Sequence, residues 1–238
     1  SGTSTAGLIA GGQSSPGQGG YTNASEEFDG SSWTEGNNLN MTRAGLCGFG
    51  TQTAGVAAGG YGPPPSGTAQ NATEEYDGTS WTAQNTFTTG AEALAGAGTQ
   101  TAGLVFGGAS PPNTARTAEY DGTNWTTVGS LNTARHALAG DGVQTSAIAI
   151  GGNTGSYTGA AEKYDGTSWT TSPATLGTSR ANLAASHTSA NNSTAVVFGG
   201  QAPSVTTATE EFTNSTNTIT PAAFSTGGTL GTSRGGMS

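Results

Sequence analysis

Short runs of small apolar residues, each closed by a pair of glycines, recur along the chain at near-constant spacing. They read TAGLIAGG from Thr5, TAGVAAGG from Thr53, TAGLVFGG from Thr101, SAIAIGG from Ser146 and TAVVFGG from Thr194. The glycine pairs begin at residues 11, 59, 107, 151 and 199, so the intervals are 48, 48, 44 and 48. Each run is followed by a variable Gly/Pro/Ser stretch and then by a segment in which polar residues lead to an aromatic, Asp-Gly and Trp-Thr. Four of these segments are SEEFDGSSWT from Ser25, TEEYDGTSWT from Thr73, TAEYDGTNWT from Thr117 and AEKYDGTSWT from Ala161. A further stretch, LNTARHALAGDG in one copy (Leu131–Gly142), leads into the next apolar run.

Every piece of this unit predicts a strand or a turn. Asp-Gly between two β-type segments is a hairpin signal; in a two-residue turn both central positions take positive φ. A Gly-Gly doublet ends a strand where backbones pack closely or the chain bends. Each repeat therefore predicts four short strands, a to d, typified by HALAGDG, TAGLVFGG, TAEYD and NWTTV. Four antiparallel strands per unit of about 40–50 residues make a propeller blade. A string of independent hairpins would be unstable, because an isolated hairpin is marginal in water.

The fold class expected is all-β: a single five-bladed β-propeller over residues 1–238, with repeats at about 1–43, 44–91, 92–135, 136–180 and 181–238. Its ends predict closure. Arg43 and Arg135 each precede the next doublet by 16 residues, and joining the C-terminus to the N-terminus places Arg234 15 residues before Gly11. RGGMS at the C-terminus is expected to complete the blade begun by SGTSTAGLIAGG, removing the free sheet edges.

These residues resemble kelch repeats. That resemblance rests on the five doublets Gly11-Gly12, Gly59-Gly60, Gly107-Gly108, Gly151-Gly152 and Gly199-Gly200, on the aromatics Phe28, Tyr76, Tyr120, Tyr164 and Phe212, and on Trp33, Trp81, Trp125 and Trp169. It covers essentially the whole chain. The fifth repeat departs from it, with Thr213 at the Asp position and Asn217 at the Trp position. TAGL-x-FGG followed by EEYDGTSWT is also similar to kelch-like arrays in structural and tail proteins of marine bacteriophages. This likeness implies a virion or extracellular location.

Composition narrows the partners. The net charge is −9, with 15 acidic residues against six basic ones and Lys163 as the only lysine. A nucleic-acid backbone needs clustered Lys and Arg, so no nucleic-acid partner is expected. Attachment to anionic lipid is disfavoured for the same reason, and no apolar run approaches the roughly 20 residues that span a bilayer. Cys47 is the only cysteine, so no internal disulfide is available.

Catalytic chemistry finds little support in the pattern. His136 and His187 are the only histidines, and neither has Cys, His or carboxylate neighbours at metal-ligand spacing. Sialidase Asp boxes place one residue between Asp and Gly, whereas here the two are adjacent. The expectation is a non-enzyme with no cofactor and no metal. A secreted propeller enzyme, either galactose-oxidase-like or a glycosidase, is the least favoured alternative.

In an up-and-down meander the b–c and d–a connections share one face, and the a–b and c–d turns share the other. The c–d turns are nearly uniform DGTS or DGTN, whereas the b–c stretches differ in length and sequence, from QSSPGQGGYTNA at 13 to NTGSYTGA at 153. The candidate binding residues lie on this variable face: Tyr21, Tyr61 and Tyr157, with Asn113 and Arg116. Aromatic rings can stack on sugar faces, and the same composition serves protein contact. Arg43, Arg135, Arg180 and Arg234 occupy the d–a junctions, with Ala91 at that place in the second repeat. They are expected either to bind ligand or to pair with Glu27, Glu75, Glu119 or Glu211, or with strand-end carbonyls. The partner expected is a host surface glycan or protein, and the alternative is docking on other virion proteins as a structural part.

Overall fold

The computed structural model describes residues 1–15, 20–63, 67–186 and 190–213. It is all-β, and its antiparallel sheets form a five-bladed propeller. Blade 1 holds β1 (Gly2–Thr3), β2 (Ala6–Ser15), β3 (Gly20–Phe28) and β4 (Trp33–Glu35). Blade 2 holds β5 (Cys47–Gly50), β6 (Gly55–Ala58), β7 (Thr73–Tyr76) and β8 (Trp81–Gln84). Blade 3 holds β9 (Ala95–Thr99), β10 (Ala102–Phe106), β11 (Thr117–Tyr120) and β12 (Trp125–Val128). Blade 4 holds β13 (Ala139–Val143), β14 (Ser146–Ile150), β15 (Ala160–Tyr164) and β16 (Trp169–Thr175).

In the fifth blade the described strands are β17 (Ala184–Ala185), β18 (Thr194–Phe198) and, after a small hairpin of β19 (Gln201–Ala202) and β20 (Ser204–Val205), β21 (Thr209–Thr213). The expected C-terminal closure, with Arg234 and Asn217, lies outside the described residues.

The recurring residues hold each blade to the one before it. Apolar side chains of successive b strands meet face to face: Leu104 and Phe106 of β10 pack with Ala147, Ala149, Tyr164 and Trp169 of blade 4. Three polar ties repeat around the ring. The Tyr120 hydroxyl donates to Glu75 Oε1 at 2.9 Å, and Tyr164 donates to Glu119 at 2.9 Å. Tyr76 makes the same bond to Glu27. The Trp125 indole donates to Thr73 and the Trp169 indole to Thr117, both at 2.9 Å. Gln100 and Gln144, in the a–b turns, donate to carbonyls of the preceding blade. Burial, and then the facing glutamate, push the Tyr76 phenol up to about 12.

The inner strands β5, β9, β13 and β17 line the axis in turn. Just before the last three, a backbone bond steps to the preceding blade: Ala93 N to Gly45 O, Ala137 N to Ala93 O and Asn182 N to Ala137 O. Ala93, Ala137 and Asn182 adopt φ near +50° to do so, a conformation that costs a non-glycine residue about 1 kcal/mol. The doublets have a matching role. Gly108 N donates to the Arg135 carbonyl that opens the next blade, and a Cβ on Gly107 would lie 2.7 Å from that oxygen.

Three local expectations are corrected. The c–d turn is a four-residue loop, because Tyr76 pairs directly with Trp81 and only the glycine takes positive φ. The aspartate closes it: Asp77 Oδ1 accepts the amides of Thr79 and Ser80, each at 2.8 Å. In blade 1 the doublet does not end strand b. β2 runs on to Ser15 across a bulge and β3 begins at Gly20, so much of the stretch expected as a loop is strand. The third correction concerns the partners of the arginines.

Candidate functional site

The b–c connections rise beyond the doublets as small hairpins, marked in blades 2 to 4 by the bridges Tyr61–Ala69, Ala109–Asn113 and Asn153–Tyr157. Tyr21 and Tyr61 come together here, with ring centroids 6.4 Å apart, and both are partly exposed. Tyr157 sits on the blade 4 hairpin and does not join that pair. Asn113 is held firmly: its Nδ2 donates to the Asn153 carbonyl at 2.9 Å, and its Oδ1 lies 2.8 Å from His136 Nδ1. Burial pushes the Glu92 carboxyl up, and nearby His136 opposes that shift. His187 lies outside the described residues.

The junction arginines are frame elements of their own blades. Arg43, Arg135 and Arg180 are fully buried. Arg43 donates to the carbonyls of Gly59, Ala72 and Ala57 and to Glu74 Oε1 at 3.0 Å. Arg135 pairs with Glu162 at 3.2 Å and Arg180 pairs with Glu210. The glutamates are therefore not Glu27, Glu75, Glu119 or Glu211 but the residues immediately before that position. Successive residues of a strand face opposite ways. Glu74 turns toward the arginine of its own blade, while Glu75 turns toward the tyrosine of the next. Burial lowers the Arg43 and Arg135 guanidinium pKa from its usual value, and the paired glutamate works against that shift.

The third blade breaks this pattern at both positions. Ala91 replaces the arginine, and Ala118 stands where Glu74 and Glu162 stand in β7 and β15. A cavity of about 330 Å³ occupies the place of the missing pair. Phe87, Leu94, Val105 and Ala118 line it, together with Asn113 and Arg116 of the b–c loop. The structure thus brings Asn113 and Arg116 to one cavity, away from the Tyr21–Tyr61 pair. The sequence carried a signal for this cavity in the joint change at positions 91 and 118.

Among the described residues no group of three His, Cys, Asp or Glu side chains converges as a metal site. Cys47 is buried at the axis, and burial pushes its thiol up to about 12, so it stays protonated at neutral pH. No family model matches the chain, and no curated protein matches it.

Proposed function

We propose that this propeller is a non-enzymatic recognition module of the kelch-like kind, carried on a phage particle, that attaches to a host surface glycan or protein through its b–c face. The observation that carries this reading is the contrast between the two faces. Four c–d turns repeat one aspartate-closed geometry, with Asp29, Asp77, Asp121 and Asp165 each accepting two backbone amides. The b–c hairpins differ in every blade and present the Tyr21–Tyr61 pair, Tyr157 and the third-blade cavity. Function on a repeat scaffold resides in what varies between repeats, since what recurs serves the scaffold.

The test is binding of the full chain to a glycan array and to intact candidate host cells. Saturable binding that is lost in Tyr21→Ala, Tyr61→Ala or Tyr157→Ala is the expected result. Absence of binding to both array and cells would overturn attachment and leave docking on other particle proteins as the role of this module.

A further inference from the structure

The third-blade cavity is chemically incomplete in two complementary ways. At its inner end it offers carbonyls without the guanidinium donor found in the second blade; the Arg116 carbonyl keeps one bond, from Gly107 N at 2.9 Å. In the second blade the Arg43 guanidinium occupies this position and donates to the carbonyls of Gly59 and Ala72 at 2.8 and 2.9 Å. The corresponding residues in the third blade are Gly107 and Arg116, and both line the cavity. With alanine at position 91, no arginine reaches their carbonyls from that junction. At the rim the cavity offers a cation that has no anion. Arg43, Arg135 and Arg180 are each in an ion pair, and Arg116 is the one described arginine that is not. In a chain of net charge −9 an arginine without a carboxylate partner stands out.

A ligand that completes the site must bring hydroxyl or amide donors to the inner carbonyls and an anion to the rim. Between those ends it must present a compact body to Phe87, Leu94, Val105 and Ala118. The volume, about 330 Å³, falls at the lower end of the ~300–1,000 Å³ typical of small-molecule pockets. A guanidinium from a partner protein fits less well. Ala118 removes the carboxylate that each buried arginine of the other blades pairs with, and Arg116 would repel the incoming charge. A neutral sugar leaves Arg116 without its anion.

We propose that this cavity binds a pyranose-sized sugar acid, with ring hydroxyls donating to the Gly107 and Arg116 carbonyls and the ligand carboxylate on the Arg116 guanidinium. The assignment rests on the recognition reading above and names the ligand class for one site on the same face. The sugar acid can arrive as a free monosaccharide or as a terminal residue of a glycan.

The test titrates the full chain with galacturonate, with N-acetylneuraminate and with galactose as the neutral control, read by calorimetry and saturation-transfer NMR. At least one acid binds saturably, and galactose binds about tenfold more weakly or worse, the factor expected when a charge-assisted hydrogen bond is lost. Arg116→Ala reduces affinity for the acid by a similar factor. Ala91→Arg/Ala118→Glu rebuilds the pair found in the neighbouring blades, fills the cavity, and abolishes binding while cooperative thermal unfolding is retained. Acid binding that survives both Arg116→Ala and the double replacement overturns the proposal, as does failure of both acids to bind.

Array presentation separates the two sources: a terminal acidic sugar that binds only when glycan-linked still requires Arg116. If the acids fail while host-cell or array binding persists and depends on the tyrosines, the cavity assignment falls and the recognition reading stands. If wild-type protein binds neither acids, array nor cells, both fall together.

Discussion

The buried Arg43–Glu74 pair allows a sharp energetic prediction. Both side chains are essentially inaccessible, at 0% and 1%, and their charged atoms lie 3.0 Å apart. Arg43→Ala removes the guanidinium bonded to Glu74 Oε1, while Oε2 keeps the backbone and side-chain amides of Asn40 at 2.6 and 2.8 Å. The stranded carboxylate is thus half satisfied, which places the cost at the lower part of the ~3–5 kcal/mol seen when one partner of a buried pair is removed. Glu74→Ala leaves Arg43 bound to three carbonyls but without a counter-charge, and it costs a comparable amount.

The double replacement Arg43→Ala/Glu74→Ala strands neither charge, and the third blade, with Ala91 and Ala118, is a native example of that state. It is expected to cost about 1–3 kcal/mol less than the sum of the two single changes. Urea unfolding followed by tryptophan fluorescence and circular dichroism measures this, with coincident transitions as the check on two-state behaviour. Single-variant losses that add to the double within about 0.5 kcal/mol would refute the coupling. The same cycle at Arg135 and Glu162 should give a smaller value. Their atoms are 3.2 Å apart, yet Arg135 Nη2 and Glu162 Oε1 lack an aligned hydrogen bond.

Two further outcomes follow from the inter-blade ties and the turns. Tyr120→Phe removes the bond to Glu75 and should lower stability by about 1–3 kcal/mol, measured by the same unfolding assay; Phe212 in blade 5 is the native counterpart, where Lys163 holds the position of that glutamate. Backbone amides hold the carboxyls of Asp29, Asp77, Asp121 and Asp165 below their ordinary 3.8, Asp29 at about 2. A depressed folded-state pKa stabilises above the unfolded value and loses that contribution as pH falls through the folded one. Thermal midpoints should therefore fall between about pH 4 and pH 2, and Asp29→Asn should flatten part of that fall; identical pH profiles for wild type and variant would exclude the turn as the cause. Glu92, raised by burial, acts in the opposite sense over the pH range just above.

The five blades were legible in the sequence because each blade needs the same contacts, so the doublets, tyrosines and tryptophans repeat in phase. Registers finer than the repeat were less legible. Asp-Gly signals a turn, but the loop length depends on where Tyr76 and Trp81 pair, and the aspartate side chain rather than the dipeptide backbone fixes it. A single copy of the motif does not separate its two adjacent glutamates, because both stand beside the same aromatic. The repeats did hold the means to separate them. Where the junction arginine is present, as with Arg43, Arg135 and Arg180, the first position is Glu74, Glu162 or Glu210; where Ala91 stands, it is Ala118. The second position goes with the aromatic of the next blade in blades 1 to 4, with Glu27, Glu75 and Glu119 before Tyr76, Tyr120 and Tyr164 and Lys163 before Phe212; Glu211, ahead of Phe28 in the first repeat, departs from this.

The first-position pattern bears on the cavity. Loss of the arginine alone, or of the glutamate alone, would have left a buried charge unpaired, at a cost large against the ~5–15 kcal/mol that holds a domain folded. Loss of both is tolerated electrostatically and leaves only a void. Such a void in one blade of five could have been refilled by larger side chains at 91 and 118. Phe87 does add bulk at the position held by Leu39, Leu131 and Leu176 in the other blades, yet a cavity of about 330 Å³ persists beside it. The same blade carries Arg116 at the position of Ala72 and Ala160, so a cation has moved from the buried junction to the cavity rim. A departure confined to scaffold maintenance would give no reason for that relocation, whereas an anionic ligand entering from the b–c face would.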